Sequence, residues 1–511
     1  MSEASEEEQS VTDSLSTVFS GGLLVSAGKV VALGLGFLTQ VAMARLLAEG
    51  AYGQVVLTLS VISVAGLVAK LGLDSGVTRK YPHHEGEPAE ALGVVRSSLF
   101  IAGISGVAVG CLVFVLAPFI AQRIFNEPSL TVLFRIAAVI IPFNALSWVA
   151  VSLAQGARNA RPHTYVKQLF QPIVRFLAIS GLLIGGFGAA GAIAGQTTAL
   201  VLAAILALLL LHRSLPTFDT TPVPMHKSLL TFSIPLLAVQ GMGFLNTNVD
   251  IYMVGYFLAS SDLGIYNIAL QIGNLVTALL STAGFLLPPM LTRLQKNGQT
   301  AEMRRTYQVL TKWMVVLILP GAVVLFFAPE LVIGLLFGER YVPGVTALRI
   351  LLIGKVVAIV MGLNTQALIA LGENRFVSYL VFFQTVVNVI VNYSLIPIIG
   401  IEGAAIGMMV SAILGDVVGV GILYREYEVH PLTKAILGPV GAVCAVAVLG
   451  YALVQAANLP TYFVVVIVGI AYVPIVATLA PEPEDEQLLT RVEDRTGYEL
   501  TFVRRAFRLV G

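Results

Sequence analysis

The feature that most constrains this chain is a series of long apolar runs separated by short polar breaks. A helix of about 20 apolar residues crosses the roughly 30 Å hydrocarbon core of a bilayer. We therefore predict an all-α membrane protein with about 14 transmembrane helices. The predicted spans lie near residues 20–44, 52–73, 94–119, 131–152, 166–187, 190–212, 231–257, 263–287, 309–328, 346–369, 377–398, 402–424, 435–456 and 461–480.

The composition agrees with a surface that faces lipid. Hydrophobic residues make up 57% of the 511 residues and charged residues 12%, whereas soluble proteins carry about 25% charged residues. So little charge cannot cover a surface that faces water. Lys and Arg (30) balance Asp and Glu (29), so the sequence gives no support to a nucleic-acid partner.

No reactive or cofactor-binding motif lies in a suitable context. Cys111 and Cys444 are solitary in apolar runs, so neither a disulfide nor a zinc site is predicted. A Gly-x-Gly-x-x-Gly pattern at residues 186–191 lies in a turn between membrane helices and not after a strand. The His-His-Glu run at residues 83–85 lacks a second pair of ligands. We expect no catalytic residue, metal or cofactor, because the outside loops are short and none of the six histidines lies in one.

The placement of Lys and Arg predicts the orientation, because cytoplasmic loops are enriched in these residues. With the N-terminus inside, about 21 of them lie in inside segments and about 5 in outside segments. An even number of spans then places both termini in the cytoplasm. Residues 1–9 are acidic, whereas a secretory signal begins with positive charge, so they are interpreted as a polar tail.

The chain repeats itself with an offset of roughly 210–216 residues. Residues 44–60 are similar to residues 255–271, and residues 188–195 are similar to residues 400–407. Six helices per repeat start both halves on the same side of the membrane, so the repeat is parallel. The predicted organisation is a cytoplasmic segment at 1–19, an N-lobe at 20–212, a cytoplasmic linker at 213–230, a C-lobe at 231–424, two extra helices at 425–480 and a cytoplasmic tail at 481–511.

Charged residues well inside a span are costly and usually functional. Here they share helical faces, at spacings of three, four and seven, with other polar or small residues. The stripes are Ser26, Lys29, Gly36 and Gln40 in span one; Thr164, Gln168, Gln171 and Arg175 in span five; Gln240, Gly243, Thr247 and Asp250 in span seven; Asn267, Gln271, Asn274 and Ser281 in span eight; Lys355, Gly362 and Gln366 in span ten; and Gln384, Asn388 and Asn392 in span eleven.

Two interpretations of the stripes stay open. Polar side chains in a membrane also bind helix to helix. Stripes in both lobes, several with a charge, favour instead a hydrated cavity between the lobes. Three cations, Lys29, Arg175 and Lys355, would suit an anionic ligand such as a phosphate. Asp250 either carries a coupling proton or cation or neutralises a neighbouring cation. The predicted lining residues are Ser26, Gln40, Gln171, Gln240, Thr247, Asn267, Gln271, Asn274, Gln366 and Asn388.

Four groups of residues carry a resemblance to a known family. They are 44–47 with Tyr52 and Gly53; 71–73 with Arg79; Asp250 with 263–266; and Leu368 with 372–374 and 400–407. Over roughly residues 15–480, the chain resembles the polysaccharide transporter (oligosaccharide flippase, Wzx-like) family of the MATE and lipid-II-flippase superfamily. The family often has Gly-Pro where this chain has Ala48 and Glu49, in an outer loop.

The resemblance implies a flippase of the cell membrane that moves a lipid-linked saccharide from the inner to the outer leaflet by alternating access. Lys29, Arg175 and Lys355 would hold the carrier's phosphate or pyrophosphate, and Asp250 would line the cavity. The acidic start and Arg-rich tail resemble haloarchaeal members, whose carrier is a dolichol. Expected partners are the lipid-linked saccharide, membrane lipids and a coupling ion (H⁺ or Na⁺), with a monomer as the working unit. The alternative is a MATE-type drug or cation antiporter, which predicts an apolar or acidic cavity.

Overall fold

The computed structural model describes residues 28–84, 86–159, 161–215, 220–278 and 280–479, and within them the chain is almost entirely helical without strands. The helices are α1 (Gly28–Leu46), α2 (Glu49–His83), α3 (Pro88–Ile124), α4 (Leu130–Gly156), α5 (Arg161–Ile184), α6 (Gly188–Ser214), α7 (His226–Phe257), α8 (Ser260–Ala278), α9 (Leu280–Lys296), α10 (Thr300–Phe327), α11 (Pro329–Leu336), α12 (Glu339–Ala370), α13 (Asn374–Ile399), α14 (Ile401–Tyr427), α15 (Lys434–Ala456) and α16 (Phe463–Leu479).

Twelve of the described helices are long and apolar enough to cross a membrane. Their exposed side chains include large apolar residues: Ile184 and Ile398 are each 76% exposed, and Val115 is 71% exposed. Contact with water costs about 25 cal/mol for each Å² of apolar surface, so side chains of this kind face lipid. The prediction of an all-α, multi-pass membrane protein is confirmed.

Within the described residues, the predicted spans and the helices coincide except at two places. The eighth predicted span, 263–287, is described as α8 and α9, and residue 279 between them lies outside the described residues. Helix α11 is an additional short helix that begins at Pro329. The first N–H groups of a helix have no partner within it, so a proline at this position removes no helical hydrogen bond. Helix α16 has 17 residues, fewer than the about 20 that cross a bilayer without thinning it. The total of about 14 spans and the parallel repeat stay predictions.

Two long helices are interrupted at left-handed backbone positions. In α2, Leu71 has a φ of 51° and Gly72 a φ of 71°. A Cβ added to Gly72 would lie 2.2 Å from the carbonyl oxygen of Ser233, so α2 approaches α7 too closely for a side chain. In α12, Gly362 has a φ of 74°, and a Cβ there would lie 2.6 Å from Oγ1 of Thr311. Each break therefore sits where a neighbouring helix passes.

Helix α5 contains a wide turn next to a proline. Pro172 has no N–H, and its ring clashes with the carbonyl of residue 168 in a regular α-helix. A π-helical turn spans Thr164–Phe170, and the N–H of Gln171 bonds to the carbonyl of Val166. Turns of this kind are rare and occur frequently at functional sites. This turn holds Lys167 and Gln168.

Contacts divide the chain into two units, residues 1–264 and 265–511. In the first unit, α4 packs against α3 and α6, α5 pairs with α6, and α7 packs against α2 and α3. Gly53 of α2 and Gly264 of α8, which the sequence repeat pairs, are in contact: a Cβ added to Gly264 would lie 3.2 Å from the nitrogen of Gly53. The first unit, residues 1–264, also includes the seventh predicted span, 231–257.

In the second unit, α13 and α14 form a close hairpin, because a Cβ added to Gly403 would lie 2.6 Å from the carbonyl carbon of Leu395. Helix α14 also packs against α12. A separate apolar core joins α10, α15 and α16 through Leu319, Val443 and Val464. The predicted lobe boundaries stay predictions, and the predicted terminal segments 1–19 and 481–511 lie outside the described residues.

Candidate functional site

The polar stripes predicted on α1 and α5 face each other. A Cβ added to Gly28 would lie 2.6 Å from Oε1 of Gln168, and one added to Gly36 would lie 3.3 Å from Nη2 of Arg175. The two glycines leave room for these long side chains. Gln168 and Arg175 therefore extend toward α1.

Helix α5 carries a row of buried polar atoms that have no hydrogen-bond partner within the described chain. They are Nζ of Lys167, Oε1 of Gln168, Oε1 of Gln171 and Nε of Arg175. A buried polar group without a partner costs about 1–3 kcal/mol, and more when it is charged. Two of the four atoms belong to cationic side chains. An anionic ligand would satisfy the two nitrogens, and water would satisfy the two amide oxygens.

The predicted residues of α1 differ in their surroundings. Lys29 is exposed near the start of the helix. Gln40 is half-buried, and its Oε1 accepts a hydrogen bond of 3.0 Å from the hydroxyl of Tyr52. Ser26 lies outside the described residues. Two predicted phosphate ligands of the first unit, Lys29 and Arg175, thus occupy neighbouring helices.

The stripe on α7 is divided between packing and exposed positions. Nε2 of Gln240 donates to Oδ1 of Asp74 at 3.1 Å and to Oγ of Ser75 at 2.7 Å, which joins α7 to α2. Thr247 is exposed and donates to a carbonyl of its own helix at 3.0 Å. Asp250 is 2% exposed. Gln240 therefore has a helix-packing role, and Asp250 is a buried acid.

In the second unit, the stripes of α8 and α12 meet. Nζ of Lys355 donates to Oδ1 of Asn274 at 3.0 Å. Asn267 and Gln271 lie two turns and one turn earlier on α8, the first buried and the second half-buried. The structure therefore brings together a predicted phosphate ligand and a predicted lining residue from two helices.

Other predicted lining residues make packing contacts. Gln366 lies against α9, with its Cγ 3.6 Å from a Cβ added to Gly284. Nδ2 of Asn388 donates to Oγ of Ser411 at 3.3 Å, and Nδ2 of Asn392 donates to Oδ1 of Asn388 at 2.7 Å. The first bond joins α13 to α14, and the second lies within α13. The helix-packing interpretation describes Asn388 well.

The break in α12 is surrounded by polar side chains that the stripes did not include. Nδ2 of Asn364 donates to Oδ1 of Asp416 at 2.9 Å. The buried hydroxyl of Tyr307 donates to a backbone carbonyl at the break, also at 2.9 Å. Thr311, whose Oγ1 faces Gly362, is 1% exposed. Helical spacing cannot find this cluster, because its members come from three helices; the available signal was Gly362 within an apolar run.

A group of potential metal ligands lies near the start of α3. His84, Glu87 and Glu90 carry ligand atoms within 4.8 Å of one another. Nδ1 of His84 lies 2.6 Å from Oε2 of Glu90. This contact explains why His84 and Glu90 lie close together, and Glu87 is exposed. We therefore assign no metal to these three residues.

A family model described as a polysaccharide biosynthesis protein matches residues 42–346, more than half of the chain. An uncharacterized membrane protein of Methanocaldococcus jannaschii is 22% identical over 359 residues, which cover 66% of this chain and 70% of the relative. The probable flippase AglR of Haloferax volcanii is 30% identical over 200 residues, which cover 37% of this chain and 40% of AglR. The match to AglR thus spans less than half of either protein.

Two solved structures have a similar fold. The lipid II flippase MurJ, in an inward closed conformation, aligns with a TM-score of 0.70 and 13% identity over 89% of this chain and 98% of MurJ. An inward-facing multidrug resistance transporter of the MATE family aligns with a TM-score of 0.60 and 16% identity over 76% and 94% of the two chains. At these identities the likeness concerns the fold alone.

Proposed function

Because the chain belongs to the polysaccharide biosynthesis protein family, we propose that it is a flippase for a lipid-linked saccharide. The saccharide is carried on a polyprenyl or dolichyl phosphate or pyrophosphate and moves from the inner to the outer leaflet. The observation that carries the proposal is the row of buried polar atoms on α5, which includes Lys167 and Arg175. Cations in such a position suit a phosphate, whose oxygens accept charge-assisted hydrogen bonds.

The two parts of the substrate favour different surroundings. Its phosphate and sugar enter hydrocarbon only at a large free-energy cost, whereas its lipid tail is soluble in hydrocarbon. Lys29, Arg175 and Lys355 hold the phosphate, and alternating access exposes these ligands first inside and then outside. Asp250 carries a coupling proton or Na⁺, or balances a neighbouring cation.

A MATE-type drug or cation antiporter is the second candidate. A multidrug transporter of the MATE family shares the fold, with a TM-score of 0.60. Export of cationic drugs calls for acidic or apolar binding residues. On the predicted stripes, however, Lys29, Arg175 and Lys355 stand against Asp250, three cations to one acid. This balance favours a substrate that bears phosphate.

The proposed setting follows from the same reasoning. The multi-pass chain lies in the cell membrane with both termini in the cytoplasm and works as a monomer. No catalytic residue or cofactor enters the proposal, because the carrier crosses without a covalent change.

The proposal is tested at Arg175 in proteoliposomes that hold a fluorescent prenyl-pyrophosphate saccharide. We expect Arg175→Met to slow transfer between leaflets by about tenfold or more, because a hydrogen bond to a charged group contributes about 1.5–3 kcal/mol. Arg175→Lys should retain part of the rate, since it keeps the charge and loses the planar fork. Chemical reduction of outer-leaflet fluorophores measures the transfer.

Arg375→Met is the matched control, because Arg375 is exposed at the start of α13 and should transfer at the wild-type rate. Full transfer by a well-folded Arg175→Met protein would contradict the assigned role. A deletion strain separates the two candidate functions. A flippase deletion accumulates the lipid-linked saccharide in the inner leaflet, whereas unchanged glycans with altered drug sensitivity would favour the antiporter.

A further inference from the structure

Trp148 of α4 is surrounded by nitrogen-bearing side chains. Nζ of Lys167 lies 4.5 Å, and Nζ of Lys70 5.3 Å, from the centroid of its indole ring. The imidazole centroid of His163 lies 6.3 Å from the same ring. These four residues form the Trp148 cluster, in which two ammonium groups and a histidine share one aromatic side chain.

Of the two lysines, Lys70 has a carboxylate partner in the described chain. It forms an ion pair of 2.7 Å with Asp74, whose Oδ1 also accepts from Gln240 at 3.1 Å and from the N–H of Ser75 at 2.9 Å. Nζ of Lys167 is buried without a hydrogen-bond partner among the described residues. A cation–π contact returns about 0.5–2 kcal/mol, less than the several kcal/mol that burial of an ammonium costs. Lys167 therefore lacks a counter-charge among the described residues.

The backbone of α5 directs this lysine. Lys167 lies in the π-helical turn Thr164–Phe170, where each residue rotates the chain by less than in an α-helix. Side chains are thus redistributed around the axis, and Lys167 reaches Trp148 although regular spacing leaves it off the predicted stripe. A turn of this kind, beside Pro172, holds the ammonium against the indole at a backbone cost.

Trp148 also lines a cavity of about 300 Å³. The other lining residues are Asp74, Ser75, Thr78, Arg79, Ser152 and Gln155. They supply one guanidinium, three hydroxyls and an amide, while the carboxylate of Asp74 is held by Lys70. At roughly 30 Å³ for each water, the cavity has room for a phosphate group and its waters.

The charges around this cavity do not balance. Arg79 lines the cavity, Lys167 contacts the Trp148 ring at its wall, and Lys70 pairs with Asp74, the one acid among the described lining residues. Arg79 is exposed, so it can reach a ligand from the solvent side. An anion with several oxygens would pair with both Arg79 and Lys167.

We propose that the Trp148 cluster and this cavity bind a phosphate or pyrophosphate group, with Lys167 as its buried ligand and Arg79 as its exposed ligand. The proposal rests on the proposed function and adds a loading site to it. The orientation predicted from Lys and Arg places the end of α2 and the start of α5 at the cytoplasmic side, where the substrate is made available. Arg175 lies eight residues beyond Lys167, about 12 Å further along the helix.

Tryptophan fluorescence tests this site directly, because the chain has two tryptophans, Trp148 and Trp313. A Trp313→Phe variant leaves Trp148 as the only tryptophan, and Trp313→Tyr is a second background should the first fold poorly. The purified variant, in nanodiscs of phosphatidylcholine, is titrated with inorganic pyrophosphate and with geranylgeranyl pyrophosphate. We expect a saturable change in emission with both, at lower concentration for the lipid form, whose tail remains in the bilayer.

Lys167→Met in this background should weaken both affinities by about tenfold or more, whereas Lys167→Arg should keep them within about threefold. The melting temperature of Lys167→Met should be unchanged or higher, because the variant removes an uncompensated buried charge. A lysine with a structural role would instead lower it. Lys296→Met is the control: Lys296 is exposed at the end of α9, so its loss should leave both affinities unchanged.

Unchanged affinity in Lys167→Met, or no response of Trp148 to either pyrophosphate, would overturn the inference. A response confined to nanodiscs that contain phosphatidylglycerol would assign the site to a lipid headgroup and overturn its loading role. A protein that transfers the saccharide without a Trp148 response rejects this site and leaves the proposed function standing. A protein that binds pyrophosphate and moves no saccharide rejects the proposed function.

Discussion

Gly53 of α2 lies directly against the backbone of Ser260. A Cβ added to Gly53 would be 1.6 Å from that carbonyl oxygen, and one added to Gly264 would be 2.4 Å from the carbonyl oxygen of Glu49. Neither oxygen can move without shifting its own helix. Gly50, one turn earlier on α2, has no atom within 4 Å of such a Cβ. The two glycines of one helix turn thus differ only in what surrounds them.

At this scale we predict opposite effects of alanine at the two positions. Gly53→Ala should lower the free energy of unfolding by about 2 kcal/mol or more, because overpacking against backbone forces helices apart. Gly50→Ala should be neutral or stabilising by up to about 1 kcal/mol, since alanine favours the helix. Thermal unfolding in detergent measures both. Equal melting temperatures for the two variants would show that the close approach is absent.

The charged residues of the stripes also differ in their surroundings. Lys355 is bonded to Asn274 at 3.0 Å, whereas Nε of Arg175 is buried without a partner in the described chain. The sequence presents both as cations within a span. Lys355 is thus bonded within the protein. Arg175, like Lys167 on the same helix, has a buried nitrogen that an added ligand would satisfy.

At the scale of the element, α5 departs from ideal helix geometry where its polar side chains are concentrated. Its π-helical turn ends two residues before Pro172. An N–H at position 172 would bond to the carbonyl of residue 168 in a regular helix. The proline therefore sets the face on which Lys167 lies.

We predict that Pro172→Ala moves Lys167 away from Trp148. With the N–H restored, a regular α-helix becomes the more stable form, because it avoids the wide turn. In the Trp313→Phe background, the affinity for pyrophosphate should fall by about fivefold or more while the melting temperature does not fall. Pro397→Ala on α13 is the control and should leave the affinity unchanged. An unaltered affinity in Pro172→Ala would separate the turn from the binding.

At the scale of the whole molecule, the apolar surface and the family match agree. Large exposed side chains such as Ile184 and Ile398 require lipid, and the family model covers residues 42–346. The resemblance drawn from the sequence is confirmed at the level of the family. The sidedness of the loops and the total number of spans stay predictions.

Single-cysteine labelling tests this topology. In a background without Cys111 and Cys444, Thr221→Cys in the predicted linker should react with an impermeant maleimide only when the inner face is open. Asn458→Cys, in the exposed loop between α15 and α16, should react from outside intact cells, because cytoplasmic loops carry the Lys and Arg excess. Labelling of both from the same side would mean that the number of crossings between them differs from the prediction.

The sequence by itself determined where the described helices lie and that they belong in a membrane. The hydrocarbon core sets the length of each apolar run separately, so this information is local. Helical spacing also located the polar face of α5 that meets α1. It could not show that Gln240 and Asn388 bond to a neighbouring helix, since a polar stripe looks the same in a cavity and in a helix contact.

Only the tertiary structure brought Lys70, Trp148 and Lys167 together, because they come from three helices and a period describes one helix at a time. The same holds for Asn364 and Asp416 at the break of α12. In α5 the period itself changes, since the π-helical turn departs from 3.6 residues per turn. Burial then decided which cations lack a counter-charge, because the neighbours of a side chain are set by packing and not by its own sequence.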